Sequence, residues 1–194
     1  MKEVWNNRYS DTEYVYGLKP NEFLKEEILN KKPGKILLLA EGEGRNAVYV
    51  AKLGWEVDAI DYSEEGRNKA TMLSELEHVK INYEIKDLIE YIPKVNSYDA
   101  IGIFYMHLEP EKRRILFEHC INALKENGLI LFECFEKEQL SYSSGGPKNP
   151  ELLYSLEEIA TAFIEMEFEK FSKEMIILQE GSGHVGDGMV VRFV

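Results

Sequence analysis

LAEGEGRNAVYVA, residues 39–51, is the stretch from which the fold is read. A run of apolar residues stops at a glycine-rich turn, and Arg45 to Leu53 continues with helical periodicity up to Gly54, a residue suited to the left-handed position that closes helices. Strand, turn and helix in that order make a ligand-binding βα unit. Gly42-Glu43-Gly44-Arg45-Asn46-Ala47 also satisfies the spacing G-x-G-x-x-G/A of dinucleotide-binding turns. The chemistry of the turn opposes that motif. A pyrophosphate needs bare backbone amides at a helix amino terminus and favours positive charge beside them, whereas Glu41 and Glu43 bring two carboxylates.

Outward from this unit the chain alternates. Lys35 to Ala40, KILLLA, is continuously apolar, as expected of a central strand in a buried parallel sheet. WEVDAID is a second strand ending on Asp61, and Ser63 caps a helix to about Leu76. VKINYEI puts Val79, Ile81, Tyr83 and Ile85 on one face and runs to Asp87. YDAIGIF, a helix from Pro110 to Lys125 stopped by Gly128, and LILFECF follow. Ser155-Leu156-Glu157-Glu158 is a capping box opening a helix to about Met166. Upstream, an aromatic-rich leader from Trp5 to Gly17 precedes a helix over Asn21 to Asn30, entered through Pro20. At the other end KEMIILQ and MVVRFV are strands joined by the glycine-rich EGSGHVGDG. The alternation predicts an α/β fold with a doubly wound, mostly parallel sheet, closed by an antiparallel hairpin.

The 194 residues suit one domain, with residues 1–34 as leader and first helix and 35–194 as core. A net charge of −12, with no run of Lys or Arg, repels nucleic acid over most of the surface and makes a small molecule the expected partner. No apolar run reaches the roughly 18 residues of a membrane span. The polar opening MKEVWNNRYSD lacks the apolar core of a signal peptide. Cys120 and Cys134 fall in a helical and a strand-like segment and read as buried thiols of a reducing compartment, so the expected location is cytoplasmic. No His and Cys spacing suggests zinc. Oligomeric state stays open.

In a sheet of this kind ligands bind outside the carboxyl ends of the strands, where strand order reverses. The turn at Gly42, Asp61 and Asp87 all fall at such ends. Asp61 stands nineteen residues after Gly42, the spacing at which an acid meets ribose hydroxyls. S-adenosylmethionine has adenosine without phosphate and carries a sulfonium and an ammonium, which carboxylates and aromatic rings suit. The alternative for Glu41 and Glu43 is that they only complement the dipole of the following helix.

WNNRY, YGLKPNEFL, EGEGRNAVYVAKLGWEVDAIDYS, KDL and SSGGPKNPELLYSLEE together resemble the class I S-adenosylmethionine-dependent methyltransferases, in particular the small-molecule branch with tellurite-resistance and thiol methyltransferase-like proteins. The resemblance spans nearly the whole chain and implies a Rossmann-like seven-stranded sheet with its last strand antiparallel. It implies Ala40, Glu41 and Gly42 beneath the methionine and ribose, Asp61 on the ribose, Tyr62 on adenine, Asp87 and Leu88 at the adenine edge, and Phe104, Tyr105 and Met106 at the methionine end. Asn46, in the turn-helix unit, belongs to the same candidate set. Two departures stand out: Leu38 replaces an acid that often fixes the methionine ammonium, and Ala40 replaces the first glycine. Glu41 is the candidate substitute anchor.

Methyl transfer from a sulfonium is an in-line displacement in which the protein's task is positioning, with at most one base for the acceptor's proton. His107, in FYMHLEP, is the candidate for that base or for substrate orientation; a helix-entry loop histidine, solvated or satisfied by backbone, is the competing reading. His119 reads as structural, and His184 either reaches the crevice mouth or decorates a turn, the turn being favoured. Trp5, Arg8, Tyr9, Tyr14 and Tyr16 either cover the ligand, with Trp5 and Tyr9 as cofactor contacts, or pack on the sheet edge. Ser141 to Pro150 is long enough for a lid. FYMHLEP lacks the Asn/Asp-Pro-Pro-aromatic pattern of amino-methyltransferases acting on adenine or glutamine amides, and neither cysteine sits in the Pro-Cys context of cytosine-carbon methylation. A small molecule remains, and the resemblance suggests a thiol or chalcogen compound. An NAD(P)-dependent oxidoreductase and a noncatalytic S-adenosylmethionine-binding module are the alternatives.

Overall fold

The computed structural model describes residues 2–194. Strands β1 (Lys35–Leu39), β2 (Glu56–Asp61), β3 (Asn82–Ile85), β4 (Tyr98–Phe104), β5 (Leu124–Phe135), β6 (Phe171–Glu180) and β7 (His184–Phe193) form one sheet in the order β3-β2-β1-β4-β5-β7-β6. β1 is parallel to both neighbours, with Leu37 opposite Asp58 on β2 and Ile101 on β4. β7 runs antiparallel to β5 and β6. The chain leaves β1 toward β2 and β3, then crosses back to β4 on the other side. β1 and β4 therefore flank the switch point.

The helices are α1 (Lys2–Tyr9), α2 (Glu22–Ile28), α3 (Arg45–Lys52), α4 (Glu64–Leu76), α5 (Pro110–Ala123) and α6 (Leu156–Ala162). Strand alternation divides β1 between two cores. Leu37 and Leu39 pack with Phe117 of α5, Phe132, Tyr154 and Phe163, while Ile36 and Leu38 pack with Phe23 and Leu24 of α2 and Val50 of α3. This two-sided burial is why KILLLA carries no polar residue beyond Lys35. Asn21, Ser63 and Ser155 cap α2, α4 and α6 by accepting from Leu24, Gly66 and Glu158 backbone N–H groups. Among the described residues no helix is long and apolar enough to cross a membrane.

The observed elements differ from expectation in four places. The leader contains a helix, α1, whose aromatic residues follow no apolar stripe. α5 ends at Ala123, and β5 starts at once through Leu124 rather than after Gly128. α6 stops at Ala162, short of Met166. The closing hairpin is the largest difference. β6 and β7 pair without a break from Phe171↔Phe193 to Glu180↔His184, leaving only residues 181–183 as the turn. Glycines that read as loop belong to the strand: a side chain at Gly188 would meet Leu178 Cδ1 at 2.8 Å.

Candidate active site

A cavity of about 470 Å³ opens at the carboxyl ends of β1 and β4. Trp5, Tyr9, Ala40, Glu41, Gly42, Asn46, Asp61, Tyr62, Asp87, Leu88, Phe104, Tyr105 and His107 all line it. Both strands end in a strained residue there: Ala40 has φ 55° and Tyr105 φ 49°, a region non-glycine residues seldom adopt and one that clusters at functional sites. Gly42 (φ 60°) turns the chain under α1, and a Cβ on it would lie 2.7 Å from Tyr9 Oη. Only glycine fits that turn.

Asp61, 5% exposed, accepts the Gly42 N–H at 3.0 Å on one oxygen and the Ser63 N–H at 2.9 Å on the other. A carboxylate has about four acceptor positions, so acceptor capacity remains on Asp61, which lines the cavity. Burial raises its pKa, and the Ser63, Gly42 and Tyr62 amides oppose the rise. Asp87 is exposed and accepts the Ile89 N–H at 3.0 Å. Tyr62, with its hydroxyl raised to about 12 by burial and then by the Asp61 and Asp87 charges, sits between the two acids.

The two glutamates of the turn have different tasks. Glu41 Oε1 accepts the Ala47 N–H at 2.6 Å, so its carboxylate sits on the α3 amino terminus where a pyrophosphate would bind. Burial lifts its pKa to about 7 against the pull of the Ala47 amide and the Arg45 charge. Complementing the helix dipole is thus a role it performs, with or without an ammonium nearby. Glu43 pairs with Lys69 at 2.7 Å and accepts the Val15 and Tyr16 N–H groups at 3.2 and 3.4 Å; it fastens the leader. Asn46 is engaged too, its Oδ1 accepting the Asn21 N–H at 2.8 Å.

The leader forms a wall of the cavity rather than a cover on the sheet edge alone. Asn6 Oδ1 accepts from Ser63 Oγ at 2.7 Å and from the Glu64 N–H at 3.0 Å, docking α1 on the first turn of α4. Trp5, Tyr9 and Tyr16 face the cavity. Arg8 lies 4.6 Å over the Trp5 ring and donates to Tyr16 Oη at 3.0 Å. Tyr14 instead donates to the Lys69 carbonyl.

The far end of the cavity holds two histidines. His107 lies between Trp5 and Phe135, each ring centroid 6.4 Å away. Its buried Nδ1 has no partner among the described residues, which opposes the solvated form of the competing reading, while backbone bonds with Leu152 and Met106 are what its backbone-satisfied form expects. Burial, helped by the His184 and Arg8 charges, pushes its pKa down to about 4. His184, for which the sequence favours a turn over the crevice mouth, is 3% exposed and lines the cavity, because β7 begins at His184 and takes in the last two glycines of the apparent loop. Its Nδ1 is 2.8 Å from Glu180 Oε2, and its ring meets those of Tyr16 and Tyr105 at 4.5 Å. Burial raises Glu180, but the bonds and charges of His184 and Arg45 outweigh it and hold the carboxyl below its usual range. The ionised carboxylate only accepts, which places the proton on Nδ1 and a lone pair on Nε2. Burial in turn keeps His184 below the ordinary histidine value despite the Glu180 bond.

Sequence reading missed Arg45, Lys2, Ile89, Leu108 and Lys112 in the lining. Arg45, at the first position of α3, was visible in the turn; its partner Glu180, at 3.0 Å, was not. Residues 141–150 do not line the cavity: Ser144 Oγ donates to the Asp187 carbonyl and its own carbonyl takes the Val185 N–H. His119 is half-buried on α5, away from the site.

Residues 36–128 match the family described as methyltransferase domain. Over those residues the chain is similar to methyltransferase domains. A protein of Geobacillus sp. (strain WCH70) named for methyltransferase activity is 33% identical over 104 residues, 51% of this chain. The chain spans 41% of that relative's length. A structure described as converting a disulfide bond into a thioacetal group during echinomycin biosynthesis aligns over 100% of this chain and 91% of its own at TM-score 0.79 and 15% identity. TehB from Haemophilus influenzae aligns over 99% of this chain and 65% of its own, at 0.74 and 19%. Haemonchus contortus phosphoethanolamine N-methyltransferase 2, in complex with S-adenosyl-L-methionine, aligns over 88% and 43%, at 0.67 and 22%. At such identities the likeness is one of fold. The methyltransferase domain match takes in Ala40 to His107 but neither the leader nor the hairpin with His184; those two flanks complete the cavity.

Proposed function

We propose that this chain transfers the methyl group of S-adenosylmethionine to a small-molecule acceptor, a thiol or another chalcogen compound. The observation that carries the reading is Glu41 on the Ala47 amide: the helix terminus a dinucleotide needs is already filled by the protein's own carboxyl group, while the candidate ribose acid Asp61 keeps acceptor capacity. A cationic cofactor also suits a chain of net charge −12.

The residues fit the cofactor as follows. Asp61 accepts from the ribose hydroxyls, Tyr62 and Leu88 pack on adenine, and Asp87 accepts from its exocyclic amine. The backbone of Ala40 to Gly42 would hold the methionine and ribose, with Trp5 and Tyr9 of the leader as further contacts and Asn46, Phe104 and Tyr105 holding the methionine end. The cofactor, when bound, supplies the electrophilic methyl carbon. His184 Nε2, with its lone pair fixed by Glu180, takes the acceptor's proton, and neutral His107 orients the acceptor. A thiol with an ordinary pKa of about 8.5 needs such help near neutral pH. A polarisable sulfur is favoured among Trp5, Tyr16 and Tyr105, and sulfur chemistry is what the echinomycin structure describes.

Calorimetric titration with S-adenosylmethionine, S-adenosylhomocysteine, NAD and NADP tests the cofactor, and a panel of thiols and selenols with mass detection of the methylated product tests the acceptor. Micromolar binding of the first pair alone is expected. NAD binding alone would sink the reading. Binding of S-adenosylmethionine without turnover on any acceptor would favour a noncatalytic module.

A further inference from the structure

Arg113 is the largest fully buried side chain among the described residues, 1% exposed, and the chemistry so far leaves it without a task. All five of its N–H donors are engaged. Nε and Nη2 donate to the two oxygens of Glu158 at 2.5 and 2.6 Å, Nη1 to the Leu108 and Glu151 carbonyls at 3.2 and 3.0 Å, and Nη2 to the Leu153 carbonyl at 3.1 Å. Its guanidinium stacks 4.2 Å from the Tyr154 ring, and Tyr154 Oη donates to the Met106 carbonyl at 3.0 Å. Met106 and Leu108 flank His107. The two carbonyls on either side of that histidine are therefore held by one interlocked pair of buried side chains.

We propose that Arg113 and Tyr154 are positioning residues of the active site, acting as a clamp on the β4–α5 loop that sets His107 against the acceptor end of the cavity. Neither lines the cavity, so both act through the loop. The loop needs holding. It leaves β4 through Tyr105 in the left-handed region (φ 49°), and it buries an unpartnered nitrogen of His107, two features that persist only where surrounding structure imposes them. The clamp imposes them from a distant part of the chain, since Tyr154 stands 48 residues from Met106 and Glu158 lies on α6. A bidentate arginine suits the task because its planar fork fixes direction, which lysine cannot do.

This inference rests on the methyl-transfer reading for its kinetic arm only. The test compares Tyr154→Phe, which keeps the ring and removes the bond to Met106, with Arg113→Lys. Three quantities are read: S-adenosylhomocysteine affinity by calorimetry, kcat with the best thiol acceptor, and the imidazole NMR signals of His107 beside those of His78 and His119. Expected are an affinity within about twofold of the parent, a kcat lower by about ten- to a hundredfold, and a His107 signal that shifts and broadens while the other two stay. Should Arg113→Lys fail to fold, Tyr154→Phe decides alone. Parental kcat with an unmoved His107 signal in that variant overturns the clamp. If the parent itself turns over no acceptor, the function proposal fails, and the His107 signal by itself decides the clamp.

Discussion

Replacing Glu41 by glutamine should change how stability depends on pH by an amount the structure allows to be worked out. The carboxyl is buried against the α3 amino terminus, and its pKa rises from 4.5 to about 7. A raised acid pKa means that the folded state binds the proton more tightly than the unfolded chain. The associated stability is complete below pH 4.5 and is lost as pH climbs through 7. At about 1.36 kcal/mol per unit, the parent should lose about 2.5 kcal/mol from this group between pH 5 and pH 8. In Glu41→Gln the new side chain keeps an amide oxygen for the Ala47 N–H but cannot ionise, so the variant should not show that loss. His107 acts in the opposite sense: its pKa is pushed down to about 4, so it costs stability as pH falls from 6.5 toward 4. Its contribution is common to both proteins and cancels in their difference. Urea unfolding of both at pH 5, 6, 7 and 8 measures the result. A variant-minus-parent stability that grows by about 2 to 3 kcal/mol toward pH 8 is expected. A difference constant across that range would refute the buried, proton-binding Glu41.

Three further outcomes test the site. Asp61→Asn weakens charge-assisted bonds worth about 1.5–3 kcal/mol, so S-adenosylmethionine affinity should fall by roughly ten- to a hundredfold; an unchanged calorimetric Kd would remove Asp61 from the ribose. Asn6→Ala should cost about 1 kcal/mol as a lost cap and speed S-adenosylhomocysteine release by roughly fivefold, followed through Trp5 fluorescence in a Trp55→Phe background, where an unaltered off-rate would mean that α1 docking does not govern exchange. His184→Gln should lower kcat by about a hundredfold or more with cofactor Kd unchanged. Because burial keeps His184 neutral at and above its ordinary pKa, the parent's rate should lack a His184 break above pH 7, and an ascending limb of that origin there would contradict its assignment.

Local pattern carries most of the architecture. The unbroken apolar run of β1, the caps Ser63 and Ser155, and the alternation of strands with helices sufficed for a parallel sheet with a hairpin, and the strand ends then named Gly42, Asp61 and Asp87 as neighbours of one crevice. These follow from periodicity and from where βα turns must lie, which are properties of short stretches. The uses of Glu41, Glu43 and the histidines became readable only in three dimensions. Glu43 meets Lys69 and the leader amides, His184 meets Glu180, and Arg113 reaches the carbonyl beside His107, each through pairings that chain spacing does not announce. The glycines of the hairpin misled for the same reason. They lie in a strand that pairs with β6, and Gly188 is a glycine because Leu178 occupies the space its side chain would fill, a demand made across the strand pair that the glycine pattern of the stretch does not reveal.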